Sequence, residues 1–308
     1  MTTAASAPAN NTQAYLNGEW RPLTECVVPI NTHALQYGTG VFEGIRGYWS
    51  GSRLNLLLLK PHFQRLHRNA ALCLMQAPTV DEMVAIASQC VARNRPTHNV
   101  YLRPMVFKKG TSLGPVLLGV PDGFMCYMQP LGDYLDTSKG LDLCVSSWRR
   151  LPDNAIPTRT KATGGYLNSA LAKSEAVMNG YDEAVFLNDR GQVCEGSAEN
   201  LFLVRDGVLI TPDKTADILE GITRKAILDL AKGLGIPSEE RPVARTELYI
   251  ADEVFLTGTG CQVSWAKSVD RRSIRTGERG PITTRIQQAY EDAVYGRSPA
   301  YSDWLTPV

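Results

Sequence analysis

The sequence predicts an α+β protein of two domains, and three observations carry that prediction. Its 308 residues are enough for one large or two ordinary domains with a sizeable core. Strand-like alternation and helix-like 3.6 periodicity are mixed in both halves of the chain. Between the halves, "QPLGDYLDTSKG" breaks the pattern with Gly, Pro and Asp, the composition of a linker. The expected layout is a disordered leader over 1–13, a small N-terminal α/β domain over 14–128, an interdomain loop over 129–137 and a large C-terminal domain over 138–308.

In the first half, "AYLNGEWRPL" places an Asn-Gly turn between short apolar flanks, a hairpin signal. "VFEGIRGYWSGSRLNLLLL" follows as two strands joined around Ser50 and Gly51. A helix over "PHFQRLHRNAALCL" has Pro61 in its first turn and sets Phe63, Leu66, Ala70 and Leu74 on one face. The next helix, "TVDEMVAIASQCVARN", opens with Thr79 three residues before Glu82, the capping-box spacing. "NVYLRPMVF" and "GFMCYMQP" return to strand character.

The second half restarts with the strand "LDLCVSSW". "YLNSALAKSEAVMNG" is a helix ended by Gly180. A meander follows through "DEAVFLN", "QVCEG", "NLFLVR" and "VLITP", with turns at 189–191 and at Asp206-Gly207. "GITRKAILDLAKGLG" is a third amphipathic helix, and "EVFLTG" and "ITTRIQQAYEDAV" close the chain as strand and helix. "GTGVFEG" lacks the strand, turn and helix setting of a dinucleotide fingerprint, which excludes a Rossmann reading.

Composition narrows the function classes. A net charge of +1 gives no general attraction to nucleic acid or anionic membranes, so an acidic ligand must be met locally. No run approaches the eighteen or so apolar residues of a membrane span, and the small polar N-terminus carries no secretory pattern. The seven cysteines form no C-x-x-C pair and mostly lie in apolar runs, as expected of reduced core residues in a cytoplasmic protein.

The chemistry centres on "IPTRTKATGGYLNS", where Lys161 stands between a proline-bounded loop and Gly164-Gly165, with Tyr166 behind. A loop lysine is ordinarily a solvated charge. Glycines that let a ligand approach, and a site that can be kept dry, are what a lysine needs to condense with a carbonyl. Condensation with pyridoxal phosphate needs two further groups, a carboxylate for the ring nitrogen and an anion site for the phosphate. Glu195 in "VCEGSAEN" supplies the first. Arg65 in "FQRLH", the N–H groups of Ile222 and Thr223 after Gly221, and Thr259 in "TGTGC" offer the second.

Taken in order, "HALQYGTGVFEGIRGY", "QRLH", "VYLRPMVF", "KATGGYLNSALAKSEA", "EGSAENLFLV", "LEGITRKAILDLAKGLGI" and "ADEVFLTGTG" resemble the class IV (fold type IV) pyridoxal-phosphate aminotransferases, most closely the bacterial branched-chain type. The resemblance runs from about Leu16 to about Tyr295. It implies that Lys161 forms the Schiff base with pyridoxal 5'-phosphate, Glu195 pairs with the ring nitrogen, and Tyr166 touches the ring hydroxyl. Arg65, Ile222, Thr223 and Thr259 would hold the phosphate. Tyr101 and Arg103, two apart on one strand face, would meet substrate; the Thr259 and Gly260 amides and the Tyr101 hydroxyl would meet the α-carboxylate, Phe42, Tyr37 and Tyr134 would line the side-chain pocket, and Cys261 would be a small pocket or core residue. Phe42, Gly44 and Arg46 would share one strand face.

The resemblance further implies a ping-pong transfer between branched-chain L-amino acids and 2-oxoglutarate, with small amino and 2-oxo acids as the partners. It implies a homodimer or a multiple of it, each site lying between two domains with loops from a neighbouring subunit. The chain departs from the common pattern at Leu131, where many members are aromatic, and at Thr259-Gly260-Cys261, where many have Thr-Ala-Ala. These changes open the pocket to aromatic amino acids or primary amines. Other readings are a D-amino acid transaminase or aminodeoxychorismate lyase on the same scaffold, against which "VYLRPMVF" argues, and a non-catalytic binding protein for phosphate ligands.

Overall fold

The computed structural model describes residues 11–132 and 139–308. Most of the expected leader and interdomain loop, Tyr134 included, lies outside the described residues. The chain forms two compact units. The first holds the described residues up to 132 with Thr160–Gly164 and Ala293–Val308, and the second those from 139 to Arg159 with Gly165–Asp292. The sequence reading assigns 138–308 to one contiguous domain. In the structure the short piece carrying Lys161 and the C-terminal tail pack instead with the first unit.

The first unit contains β1 (Gln13–Leu16), β2 (Glu19–Pro22), β3 (Gly40–Phe42), β4 (Ile45–Trp49), β5 (Leu54–Leu57), β6 (Val100–Lys108) and β7 (Asp122–Pro130). Its helices are α1 (His33–Tyr37), α2 (Leu59–Leu72) and α3 (Val80–Asn94). The C-terminal strand Leu305–Pro307 joins the sheet beside β5, followed by β4, β6, β7, β1 and β2, with β3 also on β6. Asn17 and Gly18 take φ of 51° and 102°, the paired positive values of a two-residue hairpin turn. Thr79 and Glu82 make the reciprocal capping box. Phe63, Leu66 and Ala70 of α2 are fully buried in a core shared with Met83, Ala87 and Val91 of α3. Leu74, expected on that face, is 56% exposed because α2 ends at Leu72.

"VFEGIRGYW" does not form one strand. β3 and β4 both pair antiparallel with β6, but the chain breaks between them at Glu43 and Gly44. The cause lies in β6. Glu43 N–H donates to Pro104 O at 2.9 Å, and Pro104 has no N–H to return. A Cβ on Gly44 would stand 1.9 Å from the Tyr101 hydroxyl, so any other residue there would have to displace the Tyr101 side chain. Phe42 and Arg46 therefore belong to different strands. Arg46 is buried, donating to Gly132 O at 2.9 Å.

The second unit contains β8 (Leu141–Arg149), β9 (Glu183–Leu187), β10 (Val193–Gly196), β11 (Asn200–Arg205), β12 (Val208–Thr211), β13 (Ser238–Glu240), β14 (Glu253–Gly258), β15 (Gln262–Val269) and β16 (Arg272–Ser273). Helices α4 (Tyr166–Met178), α5 (Ile222–Gly233) and α6 (Pro281–Val294) accompany them, the last two residues of α6 falling in the first unit. Strands run β10-β9-β8-β15-β14-β11-β12-β13, and β10 also pairs with β11, so six of them close into a barrel. The closing pair is Glu195 opposite Asn200. Closure through so few residues puts Glu195 where the sheet meets itself, a position built for a fixed side chain.

Candidate active site

Lys161 is not on a free loop. Phe42 N–H donates to Lys161 O at 3.0 Å, Ala162 bridges to Val41, and Gly164 N–H donates to Gly38 O at 3.1 Å. The Thr163 hydroxyl donates to Gly38 O at 2.7 Å. Residues 161–164 are thus sewn along β3 and the turn before it. The fit is close: a Cβ on Gly38, whose φ is +65°, would lie 2.7 Å from the Gly164 Cα. The amine of Lys161 stands 5.2 Å from the centroid of the Phe42 ring, and the Arg103 guanidinium 4.5 Å from it.

β6 alternates as expected. Leu102 is buried in the core, while Tyr101 and Arg103 are half-buried on the other face, Arg103 donating to the Tyr101 hydroxyl at 3.1 Å. Arg103 Nε is buried and, among the described residues, has no hydrogen-bond partner, so this guanidinium retains donor capacity for an anion. Tyr37 is placed differently. It ends α1, 38% exposed, with its hydroxyl accepting from Gly114 N–H at 2.9 Å.

Arg65, on the buried face of α2, forms a two-pronged pair with Glu43: Nε to Oε1 at 2.6 Å and an η-nitrogen to Oε2 at 2.7 Å. His62, one turn earlier, meets Glu43 Oε2 through Nδ1 at 2.8 Å. Burial works to raise the Glu43 pKa, but the Arg65 and His62 charges and hydrogen bonds prevail and hold it well below the usual carboxylate range. Burial lowers the His62 pKa; Glu43 opposes this, while the positive charges of Arg65 and Lys161 add to it. The carboxylate accepts from His62 Nδ1–H and from the Arg65 guanidinium.

In the second unit, Glu195 has both oxygens engaged. Oε1 pairs with Arg150 at 2.9 Å; Oε2 accepts from Asn200 Nδ2 at 3.0 Å and from Leu219 N–H at 3.1 Å. Asn200 also donates to Leu219 O at 2.9 Å, so one amide ties Glu195 to the segment that enters α5. A Cβ on Gly221 would be 1.9 Å from Asn200 Oδ1, which is why glycine precedes the helix. Gly221 has no side chain to cap α5, so the first N–H groups of the helix, at Ile222 and Thr223, gain no cap from it.

Thr259 and Gly260 form the turn between β14 and β15, both half-buried. The Cys261 side chain is 1% exposed within the second unit's apolar core, where a small thiol fits. Tyr166 is the half-buried first residue of α4.

The structure brings Lys161, Phe42, Tyr101 and Arg103 together in the first unit, and Glu195 beside the α5 entry in the second. Glu43, His62, Arg150 and Asn200 were not among the residues chosen from sequence. The "FEG" and "WRRLP" runs hold no spacing that marks an ion-pair partner, though Asn200 directly opposite Glu195 on a two-strand pattern was within reach.

The donor set suits pyridoxal phosphate. A lysine amine is held on fixed backbone, a carboxylate is kept oriented in a buried setting, and an uncapped helix start offers N–H groups to a phosphate. These are the parts of a pyridoxal-phosphate enzyme of fold type IV. The Amino-transferase class IV family model matches residues 40–269, and the chain belongs to that family. It is 46% identical over 299 residues to a probable branched-chain-amino-acid aminotransferase of Aquifex aeolicus, 96% of each chain being covered. Against the branched-chain-amino-acid aminotransferase of Escherichia coli K12 the identity is 40% over 304 residues, again 96% of each. The branched-chain aminotransferase of the archaeon Thermoproteus uzoniensis, solved with norvaline, superposes with a TM-score of 0.93 at 39% identity, covering 96% of this chain and 99% of that one. The branched-chain amino acid aminotransferase of Thermobaculum terrenum, solved in its PLP form, gives a TM-score of 0.92 at 39% identity, covering 97% of this chain and 98% of that one.

Proposed function

We propose that the chain is a branched-chain amino acid transaminase, exchanging the amino group of leucine, isoleucine or valine with 2-oxoglutarate through pyridoxal 5'-phosphate. The observation that carries this reading is Lys161, a lysine whose backbone is hydrogen-bonded into a strand edge and whose amine stands over an aromatic ring. The cofactor, when bound, supplies an electron sink for charge at the substrate α-carbon. Lys161 Nζ would hold it, and as a free amine would serve as the base and acid that takes the proton from the substrate α-carbon and returns it to the cofactor carbon. Glu195 would hold the proton on the ring nitrogen, with Arg150 and Asn200 orienting that carboxylate. Arg65, Thr259 and the Ile222 and Thr223 amides bind the phosphate, and Tyr166 the ring hydroxyl.

Substrate selection falls to β6 and its neighbours. Phe42 contributes apolar surface, worth about 0.8 kcal/mol per buried methylene. Arg103, with a buried donor in reserve, meets the distal carboxylate of glutamate, and the Tyr101 hydroxyl and the Gly260 amide meet the α-carboxylate. The two half-reactions proceed in ping-pong order, the 2-oxo acid of the first leaving before 2-oxoglutarate enters.

Among the described residues no helix is long and apolar enough to cross a membrane. On the same reading the protein works in the cytoplasm as a homodimer or a multiple of it. A stereospecific assay tests the function: L-leucine, L-isoleucine and L-valine should yield glutamate from 2-oxoglutarate, and their D-enantiomers should not. Turnover of D-alanine or of a primary amine above that of L-leucine would refute it.

A further inference from the structure

We infer that Glu43 and His62 are positioning residues for Arg65, setting the affinity for the cofactor's phosphate without touching it; this rests on the reading of Arg65 as a phosphate-binding residue. An unsupported arginine on a helix explores many rotamers, whereas a planar guanidinium held by two parallel hydrogen bonds has one orientation. Glu43 takes Nε and one η-nitrogen at 2.6 and 2.7 Å, which commits that edge of the fork and fixes where the other points.

Glu43 is itself fixed. Its backbone sits at the break between β3 and β4, tied to Pro104 O, and a break of this kind re-aims a side chain out of the strand's alternation. The side chain so directed is completely buried and reaches α2, where His62 and Arg65 are three residues apart on one face. His62 closes the arrangement from Nδ1 at 2.8 Å. Three titratable side chains, none more than 8% exposed, form one hydrogen-bonded unit.

Purified apoprotein and its variants, titrated with pyridoxal phosphate, with pyridoxal and with inorganic phosphate, give the test. Glu43→Gln keeps the shape and removes the charge. It should weaken pyridoxal phosphate and inorganic phosphate by about 10–100-fold, as loss of an orienting partner does at metal ligands, and leave pyridoxal unchanged. In an Arg65→Ala background the same change should add nothing. Where Glu43→Gln does not fold, His62→Leu should show the same phosphate-selective loss, and His62→Asn, which restores an N–H donor, should recover it. Equal weakening of pyridoxal and pyridoxal phosphate, a loss that persists without Arg65, or tighter phosphate binding would each overturn the inference. If Arg65→Ala itself leaves phosphate binding intact, the assignment of Arg65 fails instead.

Discussion

Among the described residues, each compact unit holds an arginine–glutamate pair with a buried carboxylate, and on the proposed function the two pairs serve in opposite senses. In the first unit Glu43 is the innermost member, fully buried, and Arg65 carries the working end. In the second unit Arg150 stands behind and Glu195 is the group put to use, clasped by Asn200 and the Leu219 amide. A buried ion pair is weak evidence of stability, because desolvation offsets most of the Coulombic gain. What it provides in both places is orientation. On the proposed function, the same chemistry would give a fixed cation for a phosphate in one unit and a fixed anion for a ring N–H in the other.

The contrast can be broken most severely through stability. Arg150→Met leaves Glu195 buried without its cation and should cost about 3–5 kcal/mol in chemical denaturation. Arg65→Met should cost less, because Glu43 keeps His62, which can take up a proton and replace the lost charge. Equal losses would show that the two pairs do not differ in this way.

Activity should separate them next. Glu195→Gln should lower kcat by about 10²–10³-fold, the scale of losing one preorganised electrostatic group, with cofactor still bound. Glu43→Gln should leave kcat within a few fold once cofactor is saturating. Native kcat in Glu195→Gln removes that residue from the mechanism.

A narrower effect concerns Arg103, the cation whose Nε is buried with no partner among the described residues. Arg103→Ala should impair glutamate and 2-oxoglutarate about 10–100-fold more than leucine and its 2-oxo acid, as expected for a lost charged hydrogen bond. Equal losses in kcat/KM for both substrate pairs would exclude this role.

The smallest effect is on pH dependence. Glu43, held low in the fold, contributes stability that is complete above its ordinary value of 4.5 and lost as pH falls toward its folded value. His62, also held low, favours the fold while neutral; below its ordinary value of 6.5 the unfolded chain takes up the proton first, so stability falls there too. Acidification from pH 7 should therefore erode stability in two stages. His62→Asn should flatten the upper one.

The regular parts of both units were legible in the sequence because their signals are local. The Asn17-Gly18 hairpin, the Thr79–Glu82 capping box and the Gly180 helix end each depend on residues a few positions apart. Lys161, Glu195 and the α5 entry stood out for their residue types and glycine neighbours. What escaped depends on partners far along the chain. Pro104 opposite Glu43 breaks a strand that alternation alone presents as continuous, and that break sends Glu43 to Arg65. Nothing local marks Arg150 as the partner that Glu195 meets. Likewise, nothing local indicates that residues 160–164 bind to β3, or that Leu305–Pro307 pairs with β5.

The central claim is that Lys161 is the covalent anchor of the cofactor. Borohydride reduction of the holoprotein followed by peptide mapping tests it directly. The account predicts a stable pyridoxyl label on Lys161 alone, lost when L-leucine is added before reduction and absent from Lys161→Ala. A label on another lysine, or none after pyridoxal phosphate is supplied, would contradict it.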